Sequence, residues 1–371
     1  MPPSSFLAFL AFLAFLDRCR TLAVPGLLAL VLGGCSTLDY YGQLAAGQWQ
    51  LLRAREPVAR IVADPARDPA LRQRLALAQE ARDYASQQLA LPDNGSYRVY
   101  ADIHRPFVVW NVFATPEFSL APVTHCFPIA GCVAYRGYYQ QGRARGAAAL
   151  MREDGFDTWV GGVEAYSTLG WFDDPILSSM LGWGEDRLVA VIFHELAHQR
   201  LYVTDDSAFN ESYASFVERE GLRQWRAARG LASREDPSLR QREQFTALVL
   251  ASRERLQALY ASGRPDAELR EAKTAEFERL RRDYRALRDG PWGGVGRYDG
   301  WMAGPMNNAK LLPFGLYDRW VPAFAALYRQ AEGWSDFHAR VATLAALPVA
   351  AREARLAELQ AANSAPAAPV E

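Results

Sequence analysis

Two histidines four residues apart stand out in a chain that holds five histidines among 371 residues. They open and close the segment His194-Glu195-Leu196-Ala197-His198. If this segment is helical, positions i and i+4 share a face, and the two imidazoles can bind one cation. Zinc suits such nitrogen ligands and lowers the pKa of a bound water to about 7. Glu195 would then lie beside that water and act as its general base.

A third ligand is expected from the segment Asn210-Glu211-Ser212-Tyr213-Ala214, which begins twelve residues after His198. Catalytic zinc sites of the His₂Glu type take three protein ligands and leave the fourth position to water. A carboxylate on an antiparallel neighbouring helix would meet this need, so Glu211 is the predicted third ligand. Glu218 is the alternative ligand, and a helix-capping or ion-pairing role is the purely structural interpretation of Glu211.

These two segments resemble those of the gluzincins, which include thermolysin and the alanyl-type aminopeptidases and carry their third ligand in an Asn-Glu-x-x-Ala segment. The resemblance implies a metallopeptidase with one zinc ion. The connection between the two segments is shorter here, and a tighter turn between the helices would accommodate it. In the alanyl-type enzymes a Gly-x-Met-Glu-Asn segment binds the free amine of the substrate, and Gly161-Gly162-Val163-Glu164 is similar to it. This implies substrate binding by Glu164; an exposed strand carboxylate is the alternative.

A further resemblance covers nearly the whole chain after residue 35 and is to a bacterial family of lipoprotein aminopeptidases. It is carried by the segment from Ala165 to Pro175, by the helix with the two histidines, and by Pro305-Met306-Asn307-Asn308-Ala309. It implies hydrolysis of peptides, with an aminopeptidase as the leading interpretation. Residues 166–169 are predicted to form an edge strand along which an extended peptide could pair. Tyr298 or Tyr317 could donate a hydrogen bond to the oxyanion of the reaction.

The N-terminus is typical of an export signal. Arg18 and Arg20 precede an apolar run over residues 22–32, which is short for a membrane-spanning helix and is followed by small residues. A plain cleaved signal and an ordinary N-terminal helix are alternatives to the more specific interpretation that follows.

The segment Leu32-Gly33-Gly34-Cys35 resembles the lipobox of bacterial lipoproteins. This implies a signal peptide of residues 1–34, lipidation of Cys35, and a mature chain that is attached to the membrane through its acyl chains. Ser36 is similar to the residue that sorts such lipoproteins to the outer membrane. The expected location is therefore the periplasmic face of the outer membrane.

Cys126 and Cys132 form the cysteine pair that remains in the mature chain after Cys35 is assigned to the lipid. Outside the cytosol an even pair of cysteines favours a disulfide. The short loop between them contains proline and glycine, and closing it would contribute about 2–3 kcal/mol on the chain-entropy model. Two buried free thiols are the alternative.

Composition excludes one broad class of partner. The formal net charge is −1, with 41 basic and 42 acidic residues, and no basic stripe is visible. Nucleic acid is therefore not an expected partner. Half of the residues are hydrophobic, which is enough to bury a large core.

Residue periodicity predicts a mainly helical α+β fold, with a small antiparallel sheet followed by the helices that carry the two histidines and Glu211, and by a helical hairpin. The resemblance to the gluzincins implies that this pair of zinc helices is thermolysin-like. Helices are expected over 40–62, 68–89, 182–202 and 208–230, strands over 97–103, 107–113 and 158–167, and the first two strands should pair through a short turn. Residues 35–371 are expected to form one metallopeptidase domain. Its parts are N-terminal helices (35–91), a β-rich part (92–180), the zinc helices (181–230), the hairpin (237–289) and C-terminal helices (290–360).

Two classes of function are compatible with these observations. The first is a zinc peptidase, most simply an aminopeptidase, that acts on peptides in the periplasm. The second is an envelope assembly or chaperone-like lipoprotein in which the zinc site is mainly structural and the hairpin binds a partner. Glu195 favours the first, because a purely structural His₂Glu site has no need of that carboxylate.

Overall fold

The computed structural model describes residues 37–127, 131–165, 167–231, 237–314 and 319–364. The expected signal peptide, Cys35, Tyr166 and Tyr317 lie outside the described residues. The chain divides into two compact units, Met1–Arg53 and Ala54–Glu371. Within the described ranges, no helix is both long enough and apolar enough to span a membrane.

Helix α1, over residues 37–54, makes up nearly all of the described part of the first unit. The prediction of one helix over 40–62 is wrong, because a short strand, β1 (Arg55–Pro57), interrupts it. Proline lacks an amide hydrogen and disfavours helical geometry in the residue before it, which explains the break. The chain becomes helical again directly after Pro57, as α2 (Val58–Ala63).

The remaining helices belong to the larger unit and are α3 (Pro69–Gln88), α4 (Gln141–Glu153), α5 (Glu185–Arg200), α6 (Ser207–Ala228), α7 (Pro237–Tyr260), α8 (Asp266–Asp289), α9 (Asp299–Ala303), α10 (Asn308–Leu311), α11 (Val321–Arg329), α12 (Trp334–Ala345) and α13 (Val349–Ser364). The strands after β1 are β2 (Val99–Ala101), β3 (Val109–Pro116), β4 (His125–Phe127), β5 (Gly131–Val133), β6 (Arg136–Tyr138), β7 (Phe156–Val163) and β8 (Ile176–Leu177). Helices predominate over small sheets, which confirms the predicted α+β class.

The described strands form two three-stranded sheets, in the orders β1-β2-β8 and β6-β3-β7, and the two-stranded ribbon β4-β5. Strands β3 and β7 pair in antiparallel along their full length. Gly161 and Gly162 in β7 leave room for aromatic rings, since a Cβ atom there would lie within 2.5 Å of Trp159 and 2.4 Å of Phe107 respectively. The two glycines therefore serve the packing of the sheet.

The expected hairpin of strands 97–103 and 107–113 is wrong. Strand β2 pairs with β1 and, in parallel, with β8, whereas β3 belongs to the other sheet. The cause lies in the turn between them, where the Arg105 guanidinium donates hydrogen bonds to the carbonyls of Val108 and Tyr139, each at 2.9 Å. These bonds direct the chain away from β2 and into the second sheet.

Helices α5 and α6 lie side by side in antiparallel. Asp186 in the first turn of α5 pairs with Arg226 in the last turn of α6, with 2.5 Å between the oxygen and the nitrogen. Their close packing depends on Gly221, because a Cβ atom there would lie 2.8 Å from Leu89 and 3.0 Å from Phe193. Helices α7 and α8 form the expected hairpin around a core of Phe245, Val249, Leu256, Phe277, Leu280 and Tyr284.

Candidate metal centre

Three side chains converge between α5 and α6. His194 and His198 lie one turn apart on α5, and both residues are buried, with 9% and 8% of their surface exposed. Their Nε2 atoms are 3.1 Å apart. Glu211, near the start of α6, places its Oε2 atom 3.4 Å from His194 Nε2 and 3.7 Å from His198 Nε2. The structure thus brings together the three residues that the sequence predicts as metal ligands, with their ligand atoms within 4.8 Å of one another.

The donor set fits a metal ion. Glu211 Oε2 is buried and has no hydrogen-bond partner of acceptable geometry among the described residues. Leaving a buried carboxylate oxygen unpaired is costly, as is burying two imidazole nitrogens face to face. One cation bound by all three atoms would satisfy them together, so the cluster can hold a metal ion.

The electrostatics of the cluster favour added positive charge. Burial alone would lower the pKa of His194, but the carboxylates of Glu211 and Glu218 outweigh this and raise it to about 10. Burial alone would raise the pKa of Glu211, but the two histidines lower it to about 2. The two carboxylates therefore stabilise positive charge on the His194 ring, and Glu211 supplies the negative charge at the point where the three ligand atoms converge.

Glu218 lies on the other side of His194. Its Oε2 atom is 2.9 Å from His194 Nδ1, the ring nitrogen that faces away from the cluster. The guanidinium of Arg242 lies 3.9 Å from the second oxygen of Glu218. Glu218, the alternative ligand suggested by the sequence, therefore contacts the imidazole and not the point where the three ligand atoms converge.

Glu195 is half-buried on α5, between the two histidines. Burial raises the pKa of its carboxyl group, the charges of Glu211 and Asp174 act in the same direction, and the two histidines oppose them. A raised pKa makes a carboxylate a stronger base, which suits a group that must take a proton from water. The position and the pKa of Glu195 are thus compatible with a general base.

The connection between α5 and α6 is short and fastened at several points. Asn210 forms two hydrogen bonds with the backbone of Val203: its Oδ1 accepts from the amide at 2.8 Å and its Nδ2 donates to the carbonyl at 2.7 Å. Asp206 caps α6 by accepting from the Phe209 amide at 3.0 Å, and it pairs with Arg352 at 2.7 Å. These bonds explain how so short a link holds Glu211 opposite the histidines.

Cys126 and Cys132 form a disulfide with an S–S distance of 2.00 Å, across the ribbon β4-β5. The ribbon lies against the connection between α5 and α6: the Cys132 amide donates to Asp205 Oδ1 at 2.6 Å. Gly131 is required here, because its φ is +71° and a Cβ atom would lie 2.5 Å from Asp205. The disulfide-linked ribbon therefore supports the loop that joins the ligand-bearing helices.

A buried carboxylate near α5 was not predicted. Asp174 is 2% exposed and accepts hydrogen bonds from the Thr168 amide (2.9 Å), the Thr168 hydroxyl (2.8 Å), the Ser167 hydroxyl (3.2 Å) and Gln199 Nε2 (3.2 Å). Its burial raises the pKa of the group. Since Gln199 follows His198 directly, Asp174 fastens residues 167–174 to the end of α5. The only sequence signal was that Asp174 lies within the segment from Ala165 to Pro175.

Glu164 lies just after β7 and not within the cluster of ligands. Its Oε2 atom is 2.6 Å from Arg187 Nη2, in the first turns of α5, and its side chain is one-third exposed. The expected edge strand over 166–169 is wrong for its described part, since residues 167–169 form no strand and a turn begins at Leu169. The positive φ of Leu169 (56°) and Gly170 (82°) explains this, because strands require negative φ.

Of the two tyrosines suggested as oxyanion donors, only Tyr298 lies among the described residues. The ring of Tyr298 stacks on Phe245, with 3.7 Å between ring centroids, so it belongs to the core of the α7–α8 hairpin. Tyr317 lies outside the described residues, and so does Cys35.

Comparisons with known proteins bear on the family. No curated protein and no solved structure matches the chain. A family model described as "Putative aminopeptidase" matches residues 39–356, which span the cluster of ligands, the Asp174 segment and the hairpin. The match covers most of the chain, and the chain therefore belongs to this aminopeptidase family.

Proposed function

We propose that the protein is a zinc-dependent peptidase of the gluzincin type, and specifically an aminopeptidase. The observation that carries the proposal is the convergence of His194 Nε2, His198 Nε2 and Glu211 Oε2, with Glu195 on the same helix as the two histidines. Two imidazoles and one carboxylate form the set that catalytic zinc sites use when a fourth position is left to water. Membership of an aminopeptidase family supports the reaction class.

In this proposal the ligands, Glu195 and Glu218 have different roles in hydrolysis. A zinc ion held by the three ligands would polarise the peptide carbonyl and lower the pKa of the attacking water. Glu195 takes a proton from that water and passes it to the leaving amine. Glu218 accepts from Nδ1 of His194 and so orients the ring with Nε2 toward Glu211, as a metal ligand would require.

The restriction to N-terminal residues would come from Glu164 in this proposal. Its carboxylate would bind the α-ammonium group of the peptide, and Arg187, its partner at 2.6 Å, sets its position. Glu164→Gln should raise KM for peptides with a free amine more than for N-acetylated peptides. Equal effects on both would remove Glu164 from this role.

The proposed location is the periplasmic face of the outer membrane, through a lipid on Cys35. The support is the export signal and the lipobox-like segment in the sequence. The test is mass spectrometry of the mature N-terminus together with fractionation of a Cys35→Ser variant, which should leave the membrane fraction.

The central experiment uses residues 36–371 with Glu195→Gln and, as its control, Glu185→Gln. Glu185 is exposed in the first turn of the same helix. The native chain and both variants should hold about one zinc per chain, and Glu195→Gln alone should lose peptide hydrolysis, by roughly a thousandfold or more. Hydrolysis that survives Glu195→Gln would contradict the mechanism.

The alternative function, an envelope assembly or chaperone-like lipoprotein with a structural zinc site, would use the α7–α8 hairpin as a binding arm. The hairpin is fastened to the rest of the larger unit, however: Lys273 Nζ donates to Asp157 Oδ2 at 2.6 Å and to the Glu117 carbonyl at 2.7 Å. Bound zinc without cleavage of any peptide in a diverse library would favour this alternative.

A further inference from the structure

Two adjacent aromatic side chains project from the loop that precedes the metal-binding helix. Trp171 is 67% exposed and Phe172 is 46% exposed. Large aromatic rings that remain in water next to each other are unusual, because their burial is worth several kcal/mol in cores and interfaces. Such a pair on a folded surface is typical of a binding site.

The loop is rigid. The Trp171 amide donates to the Thr168 carbonyl at 3.2 Å, which closes a turn whose central residues, Leu169 and Gly170, both have positive φ. The Thr168 hydroxyl accepts from the Phe172 amide at 3.1 Å and donates to the buried carboxylate of Asp174 at 2.8 Å. The exposed rings are thus displayed by a fixed turn, which lowers the entropic cost of binding a ligand.

The turn lies along one face of α5. A Cβ atom at Gly170 would be 3.7 Å from Gln199 Oε1, and Gln199 Nε2 donates to Asp174. Gln199 follows Glu195 by four residues, so these two side chains share a face of the helix. The aromatic turn therefore lies about one helical turn from Glu195, on the side of the helix that bears the proposed general base.

The charge near the turn limits what could bind there. Asp174 lies beneath it, and Asp173 is exposed directly after Phe172. The Arg55 guanidinium, which donates to the Asp173 carbonyl at 2.8 Å, adds a positive charge beside these carboxylates, so charges of both signs border the turn and the rings themselves offer apolar surface. An uncharged, apolar group fits this surface best.

We propose that Trp171 and Phe172 bind an apolar side chain of the peptide substrate close to the scissile bond, and so determine the specificity of the enzyme. This inference rests on the proposed peptidase function. The bulky rings would contact branched aliphatic or aromatic side chains of the substrate, whereas glycine has no side chain for them to contact. The turn would act in substrate binding, and so mainly on KM.

The test measures kcat and KM for Trp171→Ala, Phe172→Ala and the conservative Trp171→Phe, in residues 36–371. Substrates are peptides that vary one position at a time, with leucine or phenylalanine against glycine on either side of the cleaved bond. Each alanine variant should raise KM about tenfold for the apolar peptides, with little change for the glycine peptides. Trp171→Phe should keep the preference, and Trp49→Ala, an exposed tryptophan of the N-terminal unit, is the control.

A second arm does not require turnover. Binding of an uncleaved leucine- or phenylalanine-containing peptide to Glu195→Gln is measured by calorimetry, with and without Trp171→Ala. Weaker binding of apolar peptides alone supports the role of Trp171 in peptide binding, and because this readout needs no hydrolysis, failure of the inference can be told apart from failure of the peptidase proposal. An equal loss for all peptides, or no loss, overturns the inference while leaving the peptidase intact. If Trp171→Ala instead weakens only attachment to lipid vesicles, the surface binds membrane, and the inference is also overturned.

Discussion

The Oε2 atom of Glu218 lies 2.9 Å from Nδ1 of His194, on the side of the imidazole opposite the Nε2 atom that faces Glu211. A carboxylate can only accept, so Nδ1 carries a hydrogen, and once the ring gives up its other proton to bind a metal its lone pair is on Nε2. The contact therefore selects both the tautomer and the orientation that a metal ligand needs. It also joins the two helices at a point away from the ligand Glu211.

Removing this carboxylate should weaken metal binding without removing a ligand. We expect Glu218→Ala to lower the affinity for zinc about 10- to 100-fold, and Glu218→Gln to lower it less, because the amide oxygen can still accept from Nδ1. Competition with a chromogenic chelator measures this. Glu220→Ala on the same helix is the control, since Glu220 pairs with Arg223. Equal affinities for native chain and Glu218→Ala would show that the contact is incidental.

The buried Asp174 offers a second test. Both of its oxygens accept from N–H or O–H donors, and in Asp174→Asn an amide group would replace one oxygen and face those donors. The expected loss is about 1–3 kcal/mol in the free energy of unfolding, measured with urea. Asp173→Asn, the exposed neighbour, should change stability by less than about 0.5 kcal/mol. A stable Asp174→Asn protein would mean that the carboxylate is not what fastens residues 167–174.

The candidate metal ligands could be predicted from the sequence to different extents. The i, i+4 spacing of His194 and His198 is independent of the rest of the fold, because a helix alone places both rings on one face. Glu211 needed one further assumption, an antiparallel neighbour, and the short link after His198 supplied it. Glu218 was weighed as a ligand because its distance along α6 was known, but the side of the imidazole that it contacts depends on helix packing.

Tertiary contacts decided the points that sequence did not. Alternating apolar residues predict both strands near residues 97–113. The two strands nevertheless belong to different sheets, and the hydrogen bonds of Arg105 in the turn between them are tertiary contacts that the sequence does not reveal. Asp174 could not be recognised as buried, since its donors come from Ser167, Thr168 and Gln199. Apolar periodicity predicts the helix around residue 40 but not its end before Pro57. The proline itself is the sequence feature that indicates this break.

His338 should make stability depend on pH. Its Nε2 atom donates to the Leu89 carbonyl at 2.9 Å, and its Nδ1 atom then accepts from the Tyr213 hydroxyl at 2.9 Å, so the buried ring is neutral. Burial lowers its pKa from 6.5 to about 4. As the pH falls below 6.5, His338 binds a proton in the unfolded chain but not in the folded chain. The free energy of unfolding therefore decreases until about pH 4, where the folded chain also binds the proton.

The full effect corresponds to about 3 kcal/mol, from a difference of about 2.5 in pKa. Urea unfolding between pH 7.5 and 4 should show a shallower pH dependence for His338→Gln than for the native chain. His104→Asn is the control: the His104 side chain is 84% exposed, and asparagine tolerates its positive φ of 50°. Parallel curves for His338→Gln and the native chain would assign the pH dependence to other groups.

The disulfide should support the metal centre through Asp205. The disulfide between Cys126 and Cys132 closes the ribbon β4-β5. The Cys132 amide donates a hydrogen bond to Asp205, which lies in the loop between the helices that carry His198 and Glu211. Replacing both cysteines by serine should lower the free energy of unfolding by about 2–3 kcal/mol. Because the loop would lose its support, we also expect weaker zinc binding, measured with the same chelator.

Asp205→Gly separates the two effects, since glycine tolerates the positive φ at this position. It removes the acceptor for the Cys132 amide and leaves the disulfide intact, so zinc affinity should fall while most of the stability from the covalent link remains. Asp205→Asn keeps an oxygen acceptor and tolerates the positive φ of 65°, so it should resemble the native chain. If the double serine variant loses stability but binds zinc as tightly as the native chain, the ribbon stabilises the fold without acting on the metal centre.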